Sequence, residues 1–571
     1  MPASACGASS CEHCPGNAPD RRVGSAIGYT FCGLRPEVRV GPACNGHAHA
    51  DRNNDQQRDR EADQHPPHGC IITSRSLSKI TRPVPEKFAI CLLASEVEPL
   101  SKTGGLADVA GALTRYLSLA GHDVRLFTPG YDSIDRSACA AEPVAGLTDV
   151  PLEVGARTYH FSVLRAVLPQ GAFAYLIDCP ALYARGALYT SDPDEHVRFL
   201  VLTRAALTTC QLLGFAPQIV HCNDWHTAFA PLYLRTLYAD EPLLAHARTV
   251  LTIHNIGYQG IFPATRVADL ALAPAAQRLL YRPDLLAGRI NALRHGILYA
   301  DTLTTVSPTH AREICTDEYG MGLQDSLRVR AAQGDLSGIL NGVDYEEWDP
   351  RRDRYLPLHY DADTLEVKRQ LKRQLLARRN LDSAPEVPLA GIVSRLAVQK
   401  GIDLMFDAVP RVLTARPWSF VVLGSGEPRY EQFFTDLERR FSGRVSYESG
   451  YDDELAHWIE AGSDLFLMPS RYEPCGLNQM YSLRYGTVPV VRRTGGLADS
   501  VEDYDLASGR GTGVVFNEFD SAALEWALNS ALDLYARPAD WTRMVRNGMR
   551  CDFSWQHQGA EYVELYRKLT A

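Results

Sequence analysis

Nowhere does this 571-residue chain carry an uninterrupted apolar run near the roughly 18 residues that a membrane span needs. Met1 to Asp20 also lacks the charged start and apolar stretch of a secretory signal. Neither a membrane partner nor secretion is expected. A basic excess is missing too: 58 Lys and Arg against 68 Asp and Glu give a formal charge of −10, so no field draws in nucleic acid or an acidic lipid surface. The 14 cysteines do not form a disulfide framework. Six of them (Cys6, Cys11, Cys14, Cys32, Cys44 and Cys70) fall in the first 70 residues and the rest are singletons, which suits a reduced, cytoplasmic compartment. The G-x-x-x-x-G-K-[ST] phosphate loop is absent. Gly424-Ser-Gly-Glu427 lacks the third glycine of the dinucleotide fingerprint, so a nicotinamide cofactor is not expected.

What is present is ample core material: 45% hydrophobic, 22% charged and 9% aromatic residues, spread over a length that implies two large domains or more. Residues 1–85 stand apart. They are rich in Gly, Pro, Asn, Asp, Arg and His without periodicity, and read as a disordered extension. Cys11-Glu-His-Cys14 with His47, His49, His65 and His68 would be half of a zinc site, short of the two regular pairs a structural site shows. A plastid transit peptide would be poor in acid, whereas Asp51, Asp55, Asp59, Glu61 and Asp63 crowd this stretch.

From Lys87 the pattern becomes βα. Phe88 to Ala94 is fit for a buried strand, and Leu106, Val109, Ala110, Leu113 and Leu117 recur at helical spacing up to Gly121. Val124 to Phe127 reads as the next strand, and further apolar strands end at His221, His254, Val306 and Val343. Residues 86–345 are therefore expected to form an α/β domain on a parallel sheet. Residues 346–383 loosen into a connection with one charged helical stretch, and 384–550 repeat the rhythm with strands at Leu389–Val393, Phe420–Leu423, Leu465–Met468 and Pro489–Val491. Residues 551–571 are expected to be a helix returning to the first domain.

One motif occurs twice: Lys102-Thr-Gly-Gly-Leu-Ala-Asp108 and Arg493-Thr-Gly-Gly-Leu-Ala-Asp499. A glycine pair at a helix start lets backbone N–H groups and the helix dipole meet an oxyanion, and a cation precedes each pair. Glycines at strand-to-helix turns also serve plain packing. Arg395 and Lys400 follow a strand on one short loop, where two cations can converge on a diphosphate. Glu473 and Cys475, in Arg471-Tyr-Glu-Pro-Cys-Gly-Leu477, follow another strand, and a carboxylate there can grip sugar hydroxyls.

Those residues, with His221-Cys-Asn-Asp-Trp-His226, His254-Asn255, Thr305-Val-Ser-Pro308, Asn341-Gly-Val-Asp344 and Gln399-Lys-Gly401, resemble the bacterial glycogen synthase and plant starch synthase family from about Lys87 to the end. The resemblance implies two Rossmann-like domains across a deep cleft, the GT-B architecture. It implies transfer of glucose from ADP-glucose to the non-reducing end of an α-1,4-glucan with retention, without metal or cofactor. By the same resemblance, Lys102, Gly104 and Gly105 lie near the donor phosphates and glucose, and Arg395 and Lys400 hold the pyrophosphate. Glu473 binds the glucose hydroxyls beside Cys475, and Thr494, Gly495 and Gly496 offer N–H groups to the distal phosphate. The carbonyl of His226 faces the anomeric carbon, and Asp194 aligns with an active-site aspartate next to Asp192. Leu293-Arg294-His295-Gly296 departs from the family's Leu-Lys-x-Gly, and Tyr481 stands where related transferases carry a second glutamate. Two alternatives stay open: a GT-B enzyme using UDP-glucose, and a silent glucan-binding protein. A phosphorylase is disfavoured because nothing announces a pyridoxal-phosphate lysine.

Overall fold

The computed structural model describes residues 87–571; the expected disorder of 1–85 and the Cys11/Cys14 metal reading lie outside it. Among the described residues, two large sheets carry the chain. The first has seven parallel strands at its centre, in spatial order Leu336–Gly338, Thr302–Thr305, Arg248–Ile253, Ile219–Asn223, Ala89–Leu93, Asp123–Pro129 and Phe173–Asp178. An antiparallel extension follows, in which Arg157–Val167 pairs with Phe173–Asp178 and with Val150–Val154. The strand expected to end at Val343 is instead the short Leu336–Gly338.

The second sheet is wholly parallel, in spatial order Val445–Glu448, Ser419–Leu423, Leu389–Val393, Leu465–Met468, Val488–Arg492 and Val514–Phe516. Numbered along the chain this is 3-2-1-4-5-6, the doubly wound order. Its strands are near-continuous apolar runs because helices cover both faces. The helix Ile402–Ala415, for example, buries Ile402, Met405, Val409 and Val412 against the sheet. The helix Leu365–Arg378 falls in the stretch read as connection, yet Leu371 and Leu375 are fully buried in this second core. Its charged outer face hid that stripe.

The two cores meet at Val306, Val343, Cys475, Met480 and Tyr481. The final helix, Trp555–Thr570, packs in the first core through Trp555, Tyr562 and Tyr566. Tyr566 OH lies 2.7 Å from His221 Nδ1. Each buried tyrosine removes roughly 150–250 Å² from water, on the order of 4 kcal/mol, enough to anchor a terminal helix. No helix among the described residues is long and apolar enough to cross a membrane.

One buried ionisable pair in the second core gives a testable pH dependence. Burial pushes the Glu460 carboxyl up to about 8, while Ser482 Oγ donates to it at 2.7 Å. Unfolded, that carboxyl releases its proton near 4.5; folded, it holds it to about 8, so stability falls as pH rises between the two. Neighbouring Lys368, lowered to about 7 by burial, begins to oppose this only above neutrality. Glu460→Gln is therefore expected to flatten the loss of thermal stability between pH 5 and 7, as read by calorimetry. An unchanged pH profile would refute the assignment.

Candidate active site

In an open α/β sheet, ligands bind beyond the carboxyl ends of the strands where the strand order reverses. In the second sheet that point lies between Leu389–Val393 and Leu465–Met468, the two strands whose exits carry Arg395, Lys400, Glu473 and Cys475. The exits are stitched together: Arg471 N donates to Gln399 O at 2.8 Å. A Cβ on Gly401, whose φ is +68°, would sit 1.9 Å from Pro469 O, so only glycine allows this approach. Lys400 Nζ reaches Glu473 Oε2 at 2.6 Å, and Ser470 Oγ donates to the same oxygen at 3.0 Å. Glu473 is buried. Arg395 is exposed, and among the described residues nothing pairs with its guanidinium, so its charge is open to a ligand.

Cys475 is buried in the small cluster between the cores, and burial pushes its thiol up to about 12. That makes it a packing residue in its protonated form, with no nucleophilic character. The Thr494–Gly496 turn wedges against the same loop. A Cβ on Gly495 or Gly496 would meet Glu473 O at 1.8 Å or Cys475 O at 2.0 Å. Gly496 N–H turns inward to Glu473 O at 3.0 Å. Thr494 Oγ1 and Gly495 N donate to Glu313 Oε1 at 2.9 and 3.0 Å. Glu313 comes from the first domain, on the helix Pro308–Glu313. Despite burial, His310 and these donors hold its carboxyl below the usual range.

The first sheet reverses order between Ala89–Leu93 and Ile219–Asn223. Beyond them lie the Lys102 loop and the His226 turn. Thr103 N and Oγ1 donate to Glu96 Oε2 at 2.6 and 2.7 Å. Burial raises that carboxyl to about 6. Both glycine turns thus already hold a protein carboxylate, Glu96 in one and Glu313 in the other. Gly104 caps the helix Gly105–Leu119, and Gly105 faces Leu477 of the second domain. Lys102 is partly exposed and pairs with Asp108 at 2.7 Å. Although desolvation works against its charge, Asp108 and Glu98 hold the ammonium above its ordinary range.

His226 is buried among Trp225, Phe199 and Tyr189, with ring centroids 4.2, 4.5 and 5.0 Å away. Burial drives its imidazole well below the usual range, so it is neutral and no proton donor. Its carbonyl accepts only a 3.4 Å contact from Thr203 Oγ1. Burial likewise lowers His221 and His254 to about 3. Asp224, with φ +54°, accepts from His254 N at 2.7 Å and Asn255 N at 3.3 Å. Asp194 precedes the helix Glu195–Leu212 and is gripped by Arg185 through 2.8 and 2.9 Å bonds. Arg185 holds its carboxyl below the usual range and also binds Asp192 at 3.0 Å. Arg294 is buried and tethered to Asp284 at 2.8 Å and Gly322 O at 2.8 Å, which fixes a loop. Tyr481 stacks on Trp348 at 4.1 Å, as a core residue.

The motif reading passed over Glu96, Asp224 and Glu313 as functional groups. Asp224 lay inside the His221–His226 run, and Glu96 preceded the first glycine turn. Glu313 had no local signal, because its partners lie about 180 residues away.

Two Rossmann-type sheets whose strand exits meet, one bearing Arg395 and Lys400 and the other Glu96 and Asp224, have the architecture of a glycosyltransferase of the GT-B class. Residues 89–329 match the family described as starch synthase catalytic domain, and residues 375–548 match glycosyl transferases group 1. The chain is 47% identical over 485 residues to a glycogen synthase of Anaeromyxobacter dehalogenans strain 2CP-1, covering 84% of this chain and 99% of that one. It is 44% identical over 483 residues to the Koribacter versatilis glycogen synthase, covering 84% and 98%. Among solved structures, the catalytic domain of starch synthase IV from Arabidopsis thaliana bound to ADP and acarbose aligns with a TM-score of 0.78 and 33% identity, over 85% of this chain and all of that one. The chain belongs to the glycogen synthase family.

Proposed function

We propose that the protein elongates an α-1,4-glucan at its non-reducing end with glucose from ADP-glucose, releasing ADP with retention of configuration and without a metal in the transfer step. The observation that carries this reading is the pairing, at one switch point, of an unpaired Arg395 with Lys400, itself fixed on Glu473. Two fixed cations at a strand exit stabilise a departing diphosphate electrostatically, most strongly once water is excluded. The buried Glu473 carboxylate can accept from sugar hydroxyls while Lys400 fixes its direction. Support for the nucleotide and the acceptor comes from the structural neighbour, which is bound to ADP and acarbose.

Retention through a covalent glycosyl-enzyme needs an ionised carboxylate facing the anomeric carbon. Glu473 is committed to Lys400 and Asp194 to Arg185. Same-face attack within an ion pair, with the leaving phosphate accepting the acceptor's proton, fits this set of residues better. The test is transfer of labelled glucose to glycogen from ADP-glucose and UDP-glucose at equal concentration, each with excess chelator. The expected result is strong preference for ADP-glucose, undiminished by chelator. Preference for UDP-glucose would overturn the donor, and no transfer from either would overturn the activity.

A further inference from the structure

The segment joining the two domains brings three metal-ligand side chains together. Asp453 and His457 stand four residues apart on the helix Asp453–Gly462, hence on one face. Glu347 approaches from the joining segment. One ligand atom from each of the three lies within 4.8 Å of the others.

The histidine distinguishes this cluster from a chance gathering of acids. Its ring is 1% exposed and stacked on Trp348 at 3.8 Å. Nδ1 is held by Asp353 Oδ2 at 2.8 Å, and the same oxygen accepts from Tyr485 OH at 2.6 Å. Nε2 is buried with no hydrogen-bond partner. Leaving a polar nitrogen so costs about 1–3 kcal/mol, which the fold carries at a position fixed on every other side. A carboxylate on Nδ1 sets the tautomer that presents the Nε2 lone pair outward, the arrangement that orients a metal-binding imidazole. Among the described residues, no hydrogen bond or ion pair reaches the Glu347 carboxyl. Asp453 Oδ2 accepts from Tyr355 OH at 2.5 Å and Oδ1 from Tyr451 OH at 3.0 Å, which fixes the carboxyl group's orientation.

We propose that Glu347, Asp453 and His457 Nε2 bind one divalent first-row cation, with Asp353 as the outer carboxylate that orients the histidine. Two oxygen donors and one imidazole suit Mn²⁺ and Zn²⁺, and leave positions for water. The ion ties the joining segment to the second domain, with the Lys102 ammonium as a cationic neighbour of both Glu347 and Asp453.

Mn²⁺ is the probe of choice, because the thiols of Cys11 and Cys14 compete for zinc but poorly for manganese. Titration of the full chain, free of nucleotide, is followed by loss of the six-line resonance of free Mn²⁺. The expected result is one Mn²⁺ per chain, bound at least tenfold more weakly by Glu347→Gln and by Asp453→Asn, with a rise in Tm that Glu347→Gln abolishes. Pulsed resonance on the bound ion is expected to show coupling to an imidazole nitrogen. No uptake by the wild type, equal uptake by both variants, or bound Mn²⁺ without nitrogen coupling would each overturn the site.

Discussion

Arg395→Ala is expected to lower kcat by about 10²–10³-fold, about 3–4 kcal/mol in the barrier, and to leave Tm unchanged. The two halves of that expectation come from the same observation. The guanidinium is exposed and pairs with nothing among the described residues, so its loss removes no contact of the folded state. Its loop is held independently, by Leu396 N on Ser425 O at 2.8 Å and by the Gln399–Arg471 backbone bond. Lys400→Ala should behave differently. It removes the cation opposite a buried carboxylate, and breaking such a pair costs roughly 3 kcal/mol or more because the partner remains uncompensated. Turnover and Tm are both expected to fall. Adding Glu473→Gln to Lys400→Ala should recover most of the Tm and none of the turnover, since it neutralises the stranded charge without restoring a cation. Steady-state kinetics with thermal denaturation of the wild type, Arg395→Ala, Lys400→Ala, Glu473→Gln and the double variant checks this. Near-normal turnover in Arg395→Ala would remove the leaving-group role, and additive Tm losses in the double variant would remove the pair.

The parts of the molecule legible in sequence are those written in local patterns. Parallel strands buried on both faces are continuous apolar runs, so Leu389–Val393 and Leu465–Met468 were recognisable, and with them the loops that bear Arg395, Lys400 and Glu473. The antiparallel strand Arg157–Val167 was not. Its residues alternate between exposed and buried along a partly solvated edge, and the two-residue turn Gly155-Ala156 that closes its hairpin with Val150–Val154 was passed over in the sequence. The helix Leu365–Arg378 was legible as a charged helical stretch but not as part of the second core, because Leu371 and Leu375 form a narrow stripe among lysines and arginines. The two Thr-Gly-Gly turns show where local reading stops. Their sequences are the same, yet one encloses Glu96 from its own loop and the other Glu313 from the opposite domain. An anion entering either turn meets a carboxylate already there. That competition is set by tertiary approach, which spacing cannot encode, and in the second turn it also fastens one domain to the other.

The largest effect away from the phosphate side is expected at Asp224. This residue sits at φ +54°, a left-handed conformation that aspartate and asparagine adopt at less cost than alanine. One carboxylate oxygen accepts from His254 N and Asn255 N, which fastens the exit of Ile219–Asn223 to that of Arg248–Ile253. The next turn, Asp224–Thr227, carries His226. Asp224→Ala leaves two buried N–H groups unpaired, about 1–3 kcal/mol each, and adds strain in the left-handed region. The turn then relaxes, His226 moves with it, and kcat is expected to drop by about 100-fold with several degrees lost in Tm. Asp224→Asn keeps both the conformation and an acceptor oxygen, so it should retain turnover within about tenfold. It also separates position from charge. Burial raises the Asp224 carboxyl from 3.8 to about 7, with the two N–H groups opposing and Glu96 adding to the rise. The folded state therefore keeps a proton that the unfolded chain has lost, and stability falls as pH climbs from about 4 to 7. In Asp224→Asn the Asp224 share of that loss should disappear while the Glu460 share remains, leaving the variant the more stable protein above pH 7. If Asp224→Asn is as inactive as Asp224→Ala, the carboxyl takes part in the chemistry directly and the positioning role fails.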